Sequence, residues 1–254
     1  MKRIAGLPDA PPSLARFNAD PAVRKTWEAF DAYENRAARR ELVGELQKRQ
    51  HGLCAYCEIE LRDDDRRIEH FVPRSDPTIG TALTFDHANL MAVCHGGSRP
   101  KFDTDGETPD PRRYRRPPKA NASCDVAKAN RPASAFLDPR SIPPSPSLLA
   151  VGADGTLAPN AAACDHHCIS VVEVAEHING LSLNCERLNL ARAAVRATLL
   201  ELGLTTPETH YRAWVESNIL PDQNGQLQPF FTTRRSLFGP LAEAILVRPP
   251  QAWI

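Results

Sequence analysis

The chain has 254 residues, 31 basic side chains against 31 acidic ones, and 42% apolar residues. That length allows one large domain or two small ones. The apolar share excludes wholesale disorder, and the zero net charge excludes a uniformly basic nucleic-acid coat while permitting a local basic patch. No apolar run reaches the roughly 18 residues of a membrane span, so no contact with a membrane is expected. The basic start, Met1-Lys2-Arg3-Ile4-Ala5-Gly6-Leu7-Pro8, is not followed by an apolar h-region, so no secretory signal is expected and the cytoplasm is the expected compartment. Thiols stay reduced there, and the seven cysteines read as metal ligands or core residues before disulfides.

In chain order, residues 8–20, with Pro8, Pro11, Pro12, Asn18 and Asp20, read as irregular. Helical spacing then starts at Val23, Trp27, Phe30 and Tyr33, and Leu42 and Leu46 extend the stripe. Core packing is the expected role of its aromatics. Gly52 reads as the helix stop. Residues 53–94 are turn-rich and dense in metal-ligand types, and suit a β-hairpin. Residues 95–123 hold Gly96-Gly97 and many charges, and are the poorest candidates for regular structure. Within them, Pro111 to Lys119 carries five positive charges and no negative one, which fits either a grip on a DNA backbone or a solvated loop. A proline-rich stretch covers Pro139 to Pro146. Four helices are expected after residue 168, marked by Val171/Val174/Ile178, by Leu188/Ala191/Val195/Leu199/Leu202, by Tyr211/Trp214/Val215/Ile219 and by Leu237/Leu241/Ile245/Leu246. The expected outline is a mainly α, α+β protein: a helical body around a small metal-binding core.

Cys54-Ala55-Tyr56-Cys57 is a C-x-x-C knuckle, a spacing at which two thiolates reach one tetrahedral ion from a tight turn. Cys94 and Cys124 follow, at the edges of the 95–123 loop, and a long loop between ligands adds little closure entropy. The four cysteines are the expected structural zinc site, with Cys94 in L-M-A-V-C also readable as a buried strand cysteine. Between the two halves lies Ile68-Glu69-His70-Phe71-Val72-Pro73. There a carboxylate suited to a hard divalent cation precedes an imidazole able to take a proton near neutral pH. Asn89 follows, and Asp125 and Lys128 come directly after Cys124. Cys164-Asp165-His166-His167-Cys168 is a second ligand-rich run, expected to be a surface turn, because side chains this close along the chain seldom converge on one ion.

The order C-x-x-C, [D/E]-H, N-L, C and C-x-x-x-K resembles the HNH nucleases. More closely, Leu53-Cys54-Ala55-Tyr56-Cys57-Glu58 followed by Ile68-Glu69-His70-Phe71-Val72-Pro73-Arg74-Ser75 is similar to the PtuB-type HNH proteins, which accompany an ATPase in Septu anti-phage systems and in some retron systems. Flanking segments extend the likeness over most of residues 1–196: Arg3-Ile4, a Trp-bearing helix, Leu137-Asp138-Pro139, and Leu181-Ser182-Leu183-Asn184 followed by Leu188 and Arg192. The resemblance implies a ββα-metal core over 53–135, interrupted by the 95–123 insertion, between a helical segment (1–52) and a helical C-terminal region (136–254). It implies that His70 activates water and that Glu69 and Asp125 hold Mg²⁺ or Mn²⁺ against the scissile phosphate. Asn89 would brace the His70 loop and Lys128 would offset phosphate charge. Implied partners are DNA, read with little sequence specificity, a PtuA-like ATPase, and reverse-transcriptase or other retron components. Three departures stand out: Glu69 where many HNH proteins have Asp, Asp125 where His or Asn is common, and Cys94 followed by His95-Gly96-Gly97, which makes His95 a rival to Asp125 as a ligand. The competing reading is a zinc-stapled adaptor without activity that binds the ATPase or nucleic acid.

Overall fold

The computed structural model describes residues 2–98 and 110–247. Residues 99–109 of the insertion and 248–254 of the C-terminal region lie outside the described residues. The described chain is mainly helical with two small sheets, an α+β arrangement.

The N-terminal layer departs from the expected irregular start. Helix α1 (Pro12–Ala19) begins at the Pro11-Pro12 pair. Proline at a first helical position is pre-set for helix and lacks only an N–H that would have no helical partner anyway. Ser13 N donates instead to Glu41 Oε2 at 2.9 Å, and the helix buries Leu14 and Phe17. The long stripe predicted from Val23 to Leu46 is two helices, α2 (Trp27–Ala32) and α3 (Ala37–Arg49). Glu34, Asn35 and Arg36 between them all have positive φ, a left-handed step that breaks helical continuity. Phe17 packs between Phe30 and Phe85 at ring distances of 5.1 and 5.0 Å, so most of the aromatic stripe is core, as expected. Trp27 is only partly buried and has another neighbour, described below.

Residues 53–94 form the expected hairpin. Strand β1 (Arg67–His70) pairs antiparallel with β2 (Leu90–Val93) in the register Arg67↔Val93 to His70↔Leu90. All four β2 residues are buried, because α3 covers one face and the knuckle backbone reaches the other: Ala55 N donates to Ala92 O at 3.1 Å. Helix α4 (Cys124–Lys128) follows the insertion. A second hairpin, β3 (Leu149–Val151) with β4 (Leu157–Pro159), was not legible in the sequence: its strands are three residues long and one ends in proline. Helix α5 (Ala161–His166) takes up the expected surface turn at Cys164. Asn160 caps it by accepting from Ala163 N, and the cap lets Cys164 be buried while Cys168 is exposed.

The four C-terminal helices fall where the periodicity predicts: α6 (Val171–Gly180), α7 (Glu186–Thr205), α8 (Glu208–Ile219) and α9 (Phe231–Leu246). Helix α9 bends at Gly239-Pro240, where proline removes a ladder hydrogen bond. Two apolar clusters hold the molecule. The larger runs from Ile4 to Phe230 through the hairpin and cysteines; the smaller joins Val215, Ile219, Phe231 and Ile245 to Leu53 of the knuckle. Glu58 ties the knuckle to the far end of the chain. Its carboxylate accepts from Lys2 N at 2.7 Å, from Thr232 N at 2.7 Å and from Thr232 Oγ1 at 2.5 Å, which also satisfies the N-terminus of α9. No helix among the described residues is long and apolar enough to cross a membrane.

Candidate active site and metal centre

Three separate segments deliver the four cysteines. Cys54 and Cys57 come from the knuckle, which is closed by Cys54 N to Ile59 O at 2.9 Å and Glu58 N to Cys54 O at 3.1 Å. Cys94 directly follows β2, and Cys124 opens α4. All four are buried, and their sulfurs lie within 4.8 Å of one another. The separations are 3.6 Å for Cys57–Cys94, 3.8 Å for Cys94–Cys124 and 3.9 Å for Cys54–Cys124. A tetrahedral zinc ion with bonds of about 2.3 Å needs sulfur–sulfur edges of about 3.8 Å, which these three separations match. Backbone N–H groups already point at two of the sulfurs: Cys94 N to Cys54 Sγ and Gly96 N to Cys94 Sγ, both at 3.4 Å. Four sulfurs around an ion would leave no open position, which is the donor set of a structural rather than a reactive site.

Beside this group opens a cavity of about 730 Å³ lined by Glu69, His70, His95 and Asp125, with Trp27 and three arginines, Arg39, Arg67 and Arg74, around it. Strand β1 sets Arg67 and Glu69 two residues apart, on one side of the hairpin. His70 Nε2 lies 2.9 Å from Thr84 O. A carbonyl only accepts, so Nε2 carries the proton and Nδ1 keeps its lone pair. Burial pulls the His70 pKa down to about 4, so the ring is a neutral acceptor at pH 7. Trp27 meets it edge-on at 4.6 Å between ring centres, a contact that the core reading of the stripe did not foresee.

Asn89 holds both sides of this imidazole. Its Oδ1 accepts from Val72 N at 2.8 Å, and its Nδ2 donates to Val72 O at 3.0 Å and to Leu83 O at 3.2 Å. Val72 follows His70 and Leu83 precedes Thr84, so one amide fixes the ring's chain and the ring's acceptor together. Asn89→Ala removes the side-chain partner of three part-buried backbone groups. It is expected to lower stability by about 1–3 kcal/mol, and to disturb the His70–Thr84 contact, seen as a shifted His70 imidazole resonance in NMR. An unmoved resonance would show that Asn89 does not orient the ring.

Both carboxylates are mostly buried and each meets a cation. Lys128 Nζ lies 2.8 Å from Glu69 Oε1 and 3.2 Å from His70 O, and Arg67 Nε lies 2.7 Å from Asp125 Oδ2. Lys128 is 1% exposed, and its charge meets Glu69 within the fold. Burial raises the pKa of Glu69 against the pull of Lys128. Asp125 is pushed up to about 7, first by burial, with Arg67 opposing and Glu69 and Cys94 adding repulsion. Two acids held in one cavity against their own repulsion are a donor set suited to a hard divalent cation. His95 lines the same cavity, and is not in the four-sulfur group.

The sequence reading missed Arg39, Arg67, Arg74 and the Thr84 carbonyl. Arg67 was within reach, since alternation along a strand puts it on the face of Glu69; a backbone acceptor leaves no sequence signal. The basic run is largely neutralised by the body of the protein. Arg112 pairs with Asp110 at 2.9 Å, Arg113 with Asp65 at 2.5 Å and Arg115 with Glu186 at 2.8 Å, while Arg112, Arg116 and Lys119 are exposed. Cys164, His166, His167 and Cys168 do not form a ligand cluster among the described residues.

No family model matches the chain. It is 29% identical over 234 residues, 84% of each chain, to an Escherichia coli protein named "Retron Ec83 putative HNH endonuclease". The chain is thus similar over most of its length to a protein named as a putative retron HNH endonuclease. The aligned length extends well beyond the C-x-x-C and Glu69-His70 segments of this chain.

Proposed function

We propose that this chain is a metal-dependent HNH endonuclease that hydrolyses DNA phosphodiester bonds, with residues 53–135 as its ββα-metal core. The carrying observation is the orientation of His70: a neutral imidazole with Nε2–H spent on Thr84 O, standing in one cavity with two carboxylates. In the reaction, His70 Nδ1 accepts a proton from water, the water oxygen bonds to phosphorus, and the bond from phosphorus to the leaving oxygen breaks. Glu69 and Asp125 would hold Mg²⁺ or Mn²⁺, which supplies charge neutralisation at the phosphate and the leaving oxygen. Lys128 and Arg67 position those two carboxylates, and Asn89 positions the base. The four cysteines would hold zinc and fasten hairpin to helix. The expected setting is a cytoplasmic anti-phage system with a PtuA-like ATPase partner, alongside reverse-transcriptase or other retron components.

Arg74 is exposed at the cavity mouth, over the Trp27 ring at 5.5 Å, where a flanking phosphate can reach it. Arg74→Ala is expected to weaken DNA binding uniformly across sequences and to reduce the salt slope of affinity by about one. An unchanged slope in a fluorescence titration removes Arg74 from the DNA path. The function itself is tested by incubating plasmid with the protein and its partner ATPase in Mg²⁺ or Mn²⁺. Metal-dependent nicking or linearisation is the expected result, and intact plasmid under all these conditions overturns the reading.

One observation favours the adaptor reading: both candidate metal-binding carboxylates already carry a cation partner. Phage protection decides between the two. The adaptor reading requires His70→Ala to protect cells as well as the parent, and the nuclease reading requires that protection be lost.

A further inference from the structure

Arg187, in the first turn of α7, is 1% exposed, and every partner it has among the described residues is neutral. Its backbone N donates to Asn121 Oδ1 at 2.9 Å. Its guanidinium donates to Asn121 O at 2.8 Å, to Arg112 O at 2.8 Å and to Ser123 Oγ at 2.5 Å. A buried guanidinium is costly unless a negative charge lies nearby, and none of these acceptors has one. The nearest source is the cysteine group. Ser123 Oγ, accepting from Arg187, is left with its own proton to donate, and Cys124 Sγ lies 3.4 Å away. Arg192, further along α7, repeats the pattern at 3% exposure, donating only to neutral oxygens: Gly155 O at 2.6 Å, Leu183 O at 2.6 Å and Asn189 Oδ1 at 2.6 Å, with Asn184 Oδ1 at 3.4 Å.

The chain around the guanidinium is shaped to admit it. Gly97 has φ of +80°, and a Cβ there would stand 2.9 Å from Arg187 Nε. Gly96 has φ of +58°, and a Cβ there would stand 2.2 Å from Ser123 O. The Gly96-Gly97 pair therefore lets the chain leaving Cys94 pass over both members of the relay.

We propose that Arg187 is the charge partner of the four-cysteine metal centre, acting through Ser123 Oγ on Cys124 Sγ to set how tightly the centre holds its ion. Four thiolates around a divalent cation would carry a net charge of −2, part of which Arg187 offsets, while Arg192 stands beside both Cys57 and Glu58. The charges of Cys94 and Cys57 act in the same sense, keeping Arg187 protonated against the pull of burial. Arg187 is a positioning residue here, since it touches the metal ligand only through a hydroxyl. The inference rests on reading the cysteine group as a metal centre and is independent of nuclease activity.

The test uses the full chain, zinc competition against a chromophoric chelator, and the sulfur-to-metal charge-transfer band of the Co²⁺-loaded protein. Arg187→Met is expected to weaken zinc binding about 10- to 100-fold, with Arg187→Lys recovering part of the loss by restoring charge without the fork. Ser123→Ala keeps the fold and is expected to shift the Co²⁺ band, a change that loss of helix packing alone would not produce. Should Arg187→Met not fold, Ser123→Ala carries the test alone. Parent-like zinc affinity and an unmoved band in the variants that fold overturn the proposal. A parent protein that takes up neither Zn²⁺ nor Co²⁺ overturns the metal-centre reading itself, and the proposal with it.

Discussion

His70→Ala protein is expected to bind DNA as the parent does and to cut it about 10²- to 10⁴-fold more slowly, the usual contribution of a positioned general base. The expectation comes from the ring's surroundings. Thr84 O holds Nε2 at 2.9 Å, Trp27 lies against the ring at 4.6 Å, and Asn89 fastens the chain on either side. An imidazole so held loses little freedom when water arrives, and its neutral form dominates at pH 7 because burial has pulled its pKa to about 4. Removing it deletes the proton acceptor while Arg74 stays in place at the cavity mouth for a phosphate. Binding measured by anisotropy and cleavage measured on plasmid separate the two effects. Equal cleavage by parent and variant would exclude His70 from the mechanism, and a joint loss of binding and cleavage would point to a structural role for it.

The second large effect is expected at the sulfurs. Cys124→Ser, or exhaustive chelation of the parent, should strip the zinc and lower the melting temperature by about 10 °C or more. Structural zinc sites supply binding energy on the order of 10 kcal/mol, comparable to the whole stability of a typical domain, and each kcal/mol moves the melting point of a chain this size by about 2–4 °C. The loss is expected to be partial, because a large apolar cluster that includes Leu14, Phe17, Leu42 and Leu188 persists without the ion. Elemental analysis and calorimetry before and after chelation check it. A melting point that ignores both the chelator and the substitution would show that the cysteines pack as four thiols and hold nothing.

The four C-terminal helices were legible because burial on one face writes a period of about 3.6 into the chain, and the hairpin because its residues are turn-rich and dense in metal-ligand types. The knuckle was legible because thiolate geometry demands a short spacing. What escaped depends on contacts between distant segments or on backbone groups. Pro11-Pro12 looks like a loop until Glu41 is there to satisfy the first N–H of α1. The step at 34–36 is invisible because nothing in Glu-Asn-Arg forbids helix; the chain takes positive φ there. Lys128 was read outward as a phosphate partner because a lone cation at the end of a motif gives no sign that an acid 59 positions earlier claims it. Trp27 fits a helical stripe with Phe30 equally well whether its far edge meets core or cavity.

Glu58 sits one residue past the C-x-x-C knuckle, yet its carboxylate ends on Thr232, and Phe230 N donates to its carbonyl at 2.9 Å. His51 O likewise accepts from Leu227 N at 3.0 Å. The stretch from Leu227 to Thr232 thus acts as a buttress for the knuckle that carries Cys54 and Cys57. Dissection by truncation runs against this: a fragment ending after the motifs would keep every reactive side chain and lose the scaffold that aims them, so a minimal catalytic piece has to be sought by trimming elsewhere.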